Sequence, residues 1–227
     1  VKQRNVDLSP QPIRVPLIDA AIEVRFPGDA RIEAWRGEFQ QFVRDKYPLL
    51  FVPNSEPGVA TPLMHYRFYN QSQTANVGLA IHSLALSCKE YPGWESFKSE
   101  FLDHWRLVAE FVQPNILTRV GVRFVNRFDS ELTSCIRKEI EAPFLVPLSL
   151  SPLWHESTTR FEYNGNMISV QVHKNHEPLM VLIDLDSYTE NVAPEALPVT
   201  LDKLHRNLED NFFACLEDEY ANALRSS

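Results

Sequence analysis

The sequence predicts an α+β fold, with a ferredoxin-like β-α-β-β-α-β half extended by an antiparallel three-stranded meander and a C-terminal helix. Three features of the chain lead there. Apolar and polar residues alternate at the period of a strand, most clearly in 17-LIDAAIEVRF-26 and 119-RVGVRFVNRF-128. Two longer stretches between them repeat their apolar residues at the period of a helix. After residue 157 three strand-like runs follow in succession, and Asn164-Gly165-Asn166 between the first two is a strong hairpin signal.

Residues 1–15 read as a loose leader. In the first strand Ile18, Ala20, Ile22, Val24 and Phe26 share one face, and Asp19, Glu23 and Arg25 the other. Pro27-Gly28 ends it. Asp29 is placed to cap a helix carrying Ile32, Trp35, Phe39, Phe42 and Val43, which stops near Tyr47-Pro48. Beyond the proline-rich loop 52-VPNSEPGVATP-62, two strands are expected at about 63–71 and 75–90, joined by the polar 70-NQSQTAN-76. Pro92-Gly93 opens the second helix, 94-WESFKSEFLDHWRLVAEFV-112, whose apolar stripe is Trp94, Phe97, Phe101, Trp105, Val108 and Val112. Pro114 closes it, and the strand 118–128 follows. Residues 131–141 read as a short helix and 142–154 as a structured loop with three prolines. Strands at 158–164, 167–175 and 179–188 make the meander. A final helix runs from about Leu201 to Leu224, with Thr200 as cap and Leu201, Leu204, Leu208, Phe212, Cys215 and Leu216 as its stripe. Residues 16–227 read as one domain, with subdomains 16–129 and 130–227 as the alternative.

The 227 residues are 44% hydrophobic, enough for a substantial buried core. A net charge of −8 argues against broad nucleic-acid binding, which needs basic surface. Cys88, Cys135 and Cys215 give neither a disulfide framework nor a zinc spacing and fit reduced thiols in a cytoplasmic protein. No apolar run approaches the ~18 residues of a membrane span. The first ten residues hold no apolar signal-peptide core. H-E-x-x-H, P-loop, G-x-G-x-x-G and G-x-S-x-G motifs are all missing, so neither a cofactor nor a metal is expected.

The candidate site is a row of arginines. On a strand, Arg119, Arg123 and Arg127 lie opposite Val120, Val122 and Phe124. Arg123 and Arg127 are then ~13 Å apart. Gly121 leaves a gap where a ligand or another backbone could approach. Carboxylates of matching parity occur elsewhere: Glu23 beside Arg25, and Asp184 beside Asp186, while Arg160 and Glu162 share a face of a third strand. One reading is a charged ladder across the sheet, since the arginine fork pairs carboxylates bidentately. The other is a concave surface that grips an anionic ligand or an acidic peptide. Asn126 falls on the apolar face, so either its amide is buried and bonded or the strand bulges there. Arg127, beside it, is the first candidate for an arginine without a protein partner. His173 and His176 read as solvated loop histidines, and Asp184-x-Asp186 lacks the third acid of a Mg²⁺ site.

Several of these stretches together resemble a sporadically distributed, uncharacterised bacterial protein family. The segments are 16-PLIDAAIEVRF-26, 91-YPGWESF-97, 119-RVGVRFVNRF-128, 182-LIDLDSY-188 and 201-LDKLHRNLEDNF-212, so the resemblance runs from Pro16 to the final helix. Asp19 stands where that pattern has Glu, which keeps the charge. The resemblance implies no activity, cofactor or catalytic residue. Its patchy distribution implies a link to mobile or defence islands.

These readings lead to a non-catalytic protein- or peptide-binding module with Arg119, Arg123, Arg127, Glu23, Arg25, Asp184 and Asp186 as its candidate site. The alternative is an enzyme or sensor in which Arg123 and Arg127 clamp a small anionic, nucleotide-like ligand and Asp184 or Glu23 acts as base or metal ligand. A third reading is a homo-oligomer joined through an edge strand or the loop 142–154. Nucleic acid and membranes are not expected partners.

Overall fold

A computed structural model describes residues 16–52, 66–138, 154–176 and 178–226. The leader, most of the proline-rich loop and residues 142–153 of the second loop lie outside the described residues. The elements are β1 (Leu17–Arg25), α1 (Arg31–Val43), β2 (Leu49–Phe51), β3 (Tyr66–Tyr69), β4 (Ala75–Ala80), β5 (Ser83–Cys88), α2 (Trp94–Val112), β6 (Arg119–Asp129), β7 (Trp154–Tyr163), β8 (Asn166–His176), β9 (Leu179–Thr189), α3 (Leu197–Ala214) and α4 (Asp218–Arg225). The nine strands among the described residues form one antiparallel sheet in the order β2-β3-β4-β5-β1-β6-β9-β8-β7, so the α+β class holds.

Strand alternation sorts the sheet into two faces. Ala20, Ile22 and Val24 of β1, Leu84 and Leu86 of β5, Val120 and Val122 of β6 and Ile183 and Leu185 of β9 are fully or almost fully buried. They join one core with Ile32 and Phe39 of α1, Phe97 and Phe101 of α2 and Leu201, Leu204 and Leu208 of α3. Each such valine, leucine, isoleucine or phenylalanine side chain contributes roughly 1.5–3 kcal/mol by leaving water. The helices therefore cover one face, and the charged residues of β1, β6 and β9 are left on the other.

Several boundaries differ from expectation, each for a local reason. Residues 75–90 form two strands, because the chain reverses at Ile81-His82 and Ala80 pairs with Ser83. Neither glycine nor asparagine marks that turn, so the alternation reads straight through it. Leu49–Phe51, unassigned from sequence, is a short strand paired with β3 at the sheet edge. The final helix is broken: α3 ends at Ala214, Leu216 bridges to Ile136, and α4 starts at Asp218. Thr200 is not its cap; α3 begins at Leu197 with a proline in its first turn, where a missing N–H costs nothing. Of the short helix expected at 131–141, Thr133–Cys135 form a 3-10 turn, Ile136 makes a bridge and Lys138 is helical, while residues 139–141 lie outside the described residues. β7 starts at Trp154, ahead of the expected 158. Phe42, assigned to the stripe of α1, is 60% exposed. Ala30 occupies the cap position of α1, yet Asp29 still accepts the Arg31 N–H at 2.9 Å. Asn164 and Gly165 both have positive φ (52° and 70°) and close the β7–β8 hairpin as a two-residue turn, the geometry that an Asn-Gly pair favours.

Candidate functional site

The sheet face opposite these helices is built by register. Arg25 pairs with Arg119, Glu23 with Gly121 and Ala21 with Arg123 across β1 and β6. Gly121 pairs with Tyr188 and Arg123 with Asp186 across β6 and β9. These residues and others from β3, β4, β5, β7 and β8 line a cavity of about 780 Å³. The cavity touches both β3 and β7, which stand seven steps apart along β3-β4-β5-β1-β6-β9-β8-β7. On a flat sheet that is ~34 Å. The sheet therefore curls and makes this face concave, as twisted sheets of many strands do.

Two arginines of the row stand in this cavity, and both are held internally. Arg119 donates from Nη1 to Glu23 Oε2 (3.0 Å) and from Nη2 to Asp186 Oδ2 (2.7 Å). Its guanidinium also lies 4.7 Å from the centre of the Tyr188 ring. It folds across Gly121 so closely that a Cβ there would meet Arg119 Nη1 at 2.6 Å. The gap expected at Gly121 is thus filled by Arg119 itself. Arg123 forks onto one carboxylate, Nε to Asp184 Oδ1 (2.8 Å) and Nη2 to Asp184 Oδ2 (2.5 Å). Arg25 donates from Nε to Glu23 Oε2 at 3.0 Å. Arg127 stands apart: it is exposed, pairs with Leu182, and does not line the cavity. Among the described residues no carboxylate pairs with its side chain.

Asn126 is buried, 3% exposed, and β6 runs unbroken past it against β9. The irregularity lies across from it, in β1 between Leu17 and Asp19. The extra residue there, Ile18, is turned out to 39% exposure although it is apolar. Asn126 Nδ2 points at the Ile183 carbonyl at 3.5 Å.

The central charges sit in partly dry surroundings. Burial pushes the Asp186 carboxyl above the usual range, and the Arg119 charge opposes it. Burial raises Asp19 in the same way, with Arg123 and Lys89 pulling it back. The hydrogen bonds to Asp184 hold the Arg123 guanidinium still more firmly charged. Paired charges of this kind supply fixed dipoles and hydrogen-bonding edges.

Sequence reasoning missed two parts of the surface. Arg67 on β3 lines the cavity, as does Arg160 on β7, noted from sequence only for its alternation; both are exposed. Between them lies a low floor that includes Ala21, Asn76, Gly78, Ala85 and Ser87. The signal was present: small residues alternate with Val77, Leu79, Leu84 and Leu86 through β4 and β5.

Two further motif segments meet on the helical side. Trp94 stacks on His205 with ring centres 4.1 Å apart, and Trp94 Nε1 and Lys98 Nζ both donate to Asp202 Oδ1 (2.8 and 2.7 Å). These contacts join α2 to α3. Burial pushes His205 down to about 4.

No family model matches the chain, and comparison with curated protein sequences gives no match. Among the described residues no helix is long and apolar enough to cross a membrane.

Proposed function

We propose that the chain is a non-catalytic module that binds a polypeptide segment on the concave face of its sheet. The observation that carries this reading is the pairing of the central charges inside a large open cavity. Arg119 is committed to Glu23 and Asp186, and Arg123 to Asp184, so the face offers shape and hydrogen bonds. The volume, about 780 Å³, is that of a ligand site. Ala21 and Ala85 keep its floor low, and Asn76, Ser87, Ser169 and Gln171 present donors and acceptors suited to peptide amides. The order β6-β1-β5-β4, antiparallel throughout, supports reading that part as the ferredoxin-like half, with β9-β8-β7 as its meander. The family resemblance supports placing such a module in the cytoplasm of a bacterium, on a mobile or defence island.

Selection from a random-peptide library tests the reading. The filled variant Ala21→Tyr/Ala85→Tyr replaces two floor residues with a good strand former and occupies the cavity. Peptides that bind the natural chain and not the folded, filled variant support the proposal. An absence of enriched peptides, or equal binding by the filled variant, refutes it.

The second reading gives Arg123 and Arg127 a small anionic, nucleotide-like ligand. It has less support, because Arg123 already carries Asp184 and Arg127 lies outside the cavity. A nucleotide that raises the melting temperature, and fails to do so in Arg123→Ala, would restore it.

A further inference from the structure

We infer that the polypeptide taken up by this face is extended and acidic at both ends, crossing the strands with one end on Arg67 and the other on Arg160. This rests on the polypeptide-binding reading above. The starting point is a division among the arginines of the cavity. Arg25 and Arg119 are held by Glu23, Arg119 also by Asp186, and Arg123 by Asp184. Arg67 and Arg160 are exposed, and no carboxylate among the described residues pairs with either. Among the described residues, these two cations of the cavity without a carboxylate partner therefore stand on β3 and β7, either side of a middle whose charges are largely matched.

Position fixes the shape of the ligand. Arg67 faces Gly78 on β4, with Ala85 and Glu23 next in the same row. Arg160 faces Ser169 on β8, with Asp186 next. Arg67 and Arg160 line the same cavity from strands seven steps apart in the sheet, an arrangement that favours an elongated ligand over a compact one. A chain crossing from β3 to β7, at most the ~34 Å of a flat sheet, needs up to about ten extended residues at ~3.4 Å each. Its ends then meet guanidinium forks shaped for carboxylates, and its middle crosses small and polar side chains.

The remaining carboxylates decide between a peptide and a nucleic acid. Asp19 is offset by Arg123 and Lys89, and Glu190 lies at the border shared with a shallower hollow beside the β7–β8 turn. A nucleic acid carries a phosphate at every step and would meet Glu23, Asp184 and Asp186 along the whole path. A peptide places its charges only at its ends and leaves the middle uncharged.

Fluorescence polarisation on the full chain tests this with labelled peptides of about ten residues. One carries two aspartates at each end around a Ser/Gln/Ala centre. A second has the same composition with the aspartates in the centre, a third has asparagines in their place, and a fourth has lysines at both ends. The end-acidic peptide is expected to bind at least about fivefold tighter than the second and third, and to weaken with added salt. Arg67→Glu and Arg160→Glu are each expected to weaken it at least about fivefold, and the double variant to prefer the lysine-ended peptide. Circular dichroism confirms that these surface variants fold. Equal binding of the first three peptides, insensitivity to either reversal, or tighter binding of a single-stranded oligothymidylate of the same span overturns the inference. Equal binding that is still lost in Ala21→Tyr/Ala85→Tyr overturns only the acidic ends and leaves the polypeptide-binding face standing. Failure of every peptide, in the library as well, overturns both.

Discussion

Gly121→Ala is a small change with a specific expected cost. The new Cβ would sit 2.6 Å from Arg119 Nη1 and 3.0 Å from Cζ and Nη2, so the guanidinium must leave its place. Leaving breaks its hydrogen bonds to Glu23 and Asp186 and its seat on the Tyr188 ring. The side chains of Arg119, Glu23 and Asp186 are only 17%, 21% and 28% exposed, so water repays little of this. Charge-assisted bonds of this kind are worth about 1.5–3 kcal/mol each, and a new rotamer retains part of one. Alanine returns about 0.5–1 kcal/mol because it has less conformational freedom to lose on folding than glycine. The expected net destabilisation is about 2 kcal/mol. Urea unfolding measures it as a lower midpoint at unchanged slope. The decisive comparison is the same substitution in an Arg119→Ala background, where nothing remains to be displaced. There Gly121→Ala should be neutral or mildly stabilising. An equal loss in both backgrounds would show that backbone geometry, and not the arginine, requires the glycine.

Other outcomes follow from the same contacts. Arg123→Ala should cost about 2 kcal/mol in urea unfolding, because Asp184 is 9% exposed and loses both hydrogen bonds from Arg123, whereas Arg127→Ala should stay within about 0.5 kcal/mol. A loss in Arg127→Ala as large as in Arg123→Ala would contradict the division of the row. Gly165→Ala, at φ 70°, should cost about 1 kcal/mol and leave the fold intact by circular dichroism. Stability should fall on acidification in two stages. His205, stacked on Trp94 with Phe124, Asp202, Lys98 and Glu209 around it, is pushed by burial to about 4, so the unfolded chain takes up its proton first. Its contribution is complete above about 6.5 and is lost as pH falls towards about 4. Burial works against the charge on Glu100, but the His104 imidazole 3.8 Å away and hydrogen bonds from Lys46 and Tyr47 together hold it down to about 2, so its contribution is lost as pH falls from about 4.5 towards 2. A His205→Phe variant whose unfolding midpoint keeps the natural slope between pH 6.5 and 4 would refute the first stage.

Much of the architecture was legible in the sequence because it depends on local periodicity. Val120, Val122 and Phe124 against Arg119 and Arg123 define two faces of a strand with no knowledge of its neighbours. Helix α2 declares itself through Phe97, Phe101, Trp105 and Val108, and the β7–β8 turn through Asn164-Gly165, whose positive φ few other pairs tolerate. The local signal fails where a contact from outside sets the structure. Nothing in Ile81-His82 announces a turn; β4 and β5 separate there because each pairs along its length with the other. The break after Ala214 is fixed by the bridge of Leu216 to Ile136, some eighty residues back.

The site divides in the same way. Sequence alone determined that arginines and carboxylates of β1, β6 and β9 share a face, since parity needs only the strand period. Tertiary structure decided which of them meet. Register across β1, β6 and β9 gives Arg119 to Glu23 and Asp186, and gives Arg123 to Asp184. The curl of the sheet, a sum of small twists over nine strands, brings Arg67 and Arg160 to one cavity and leaves Arg127 outside it. A property accumulated over the whole sheet has no counterpart in any ten-residue window, which is why the meeting of Arg67 and Arg160 in one cavity was visible only in the folded chain.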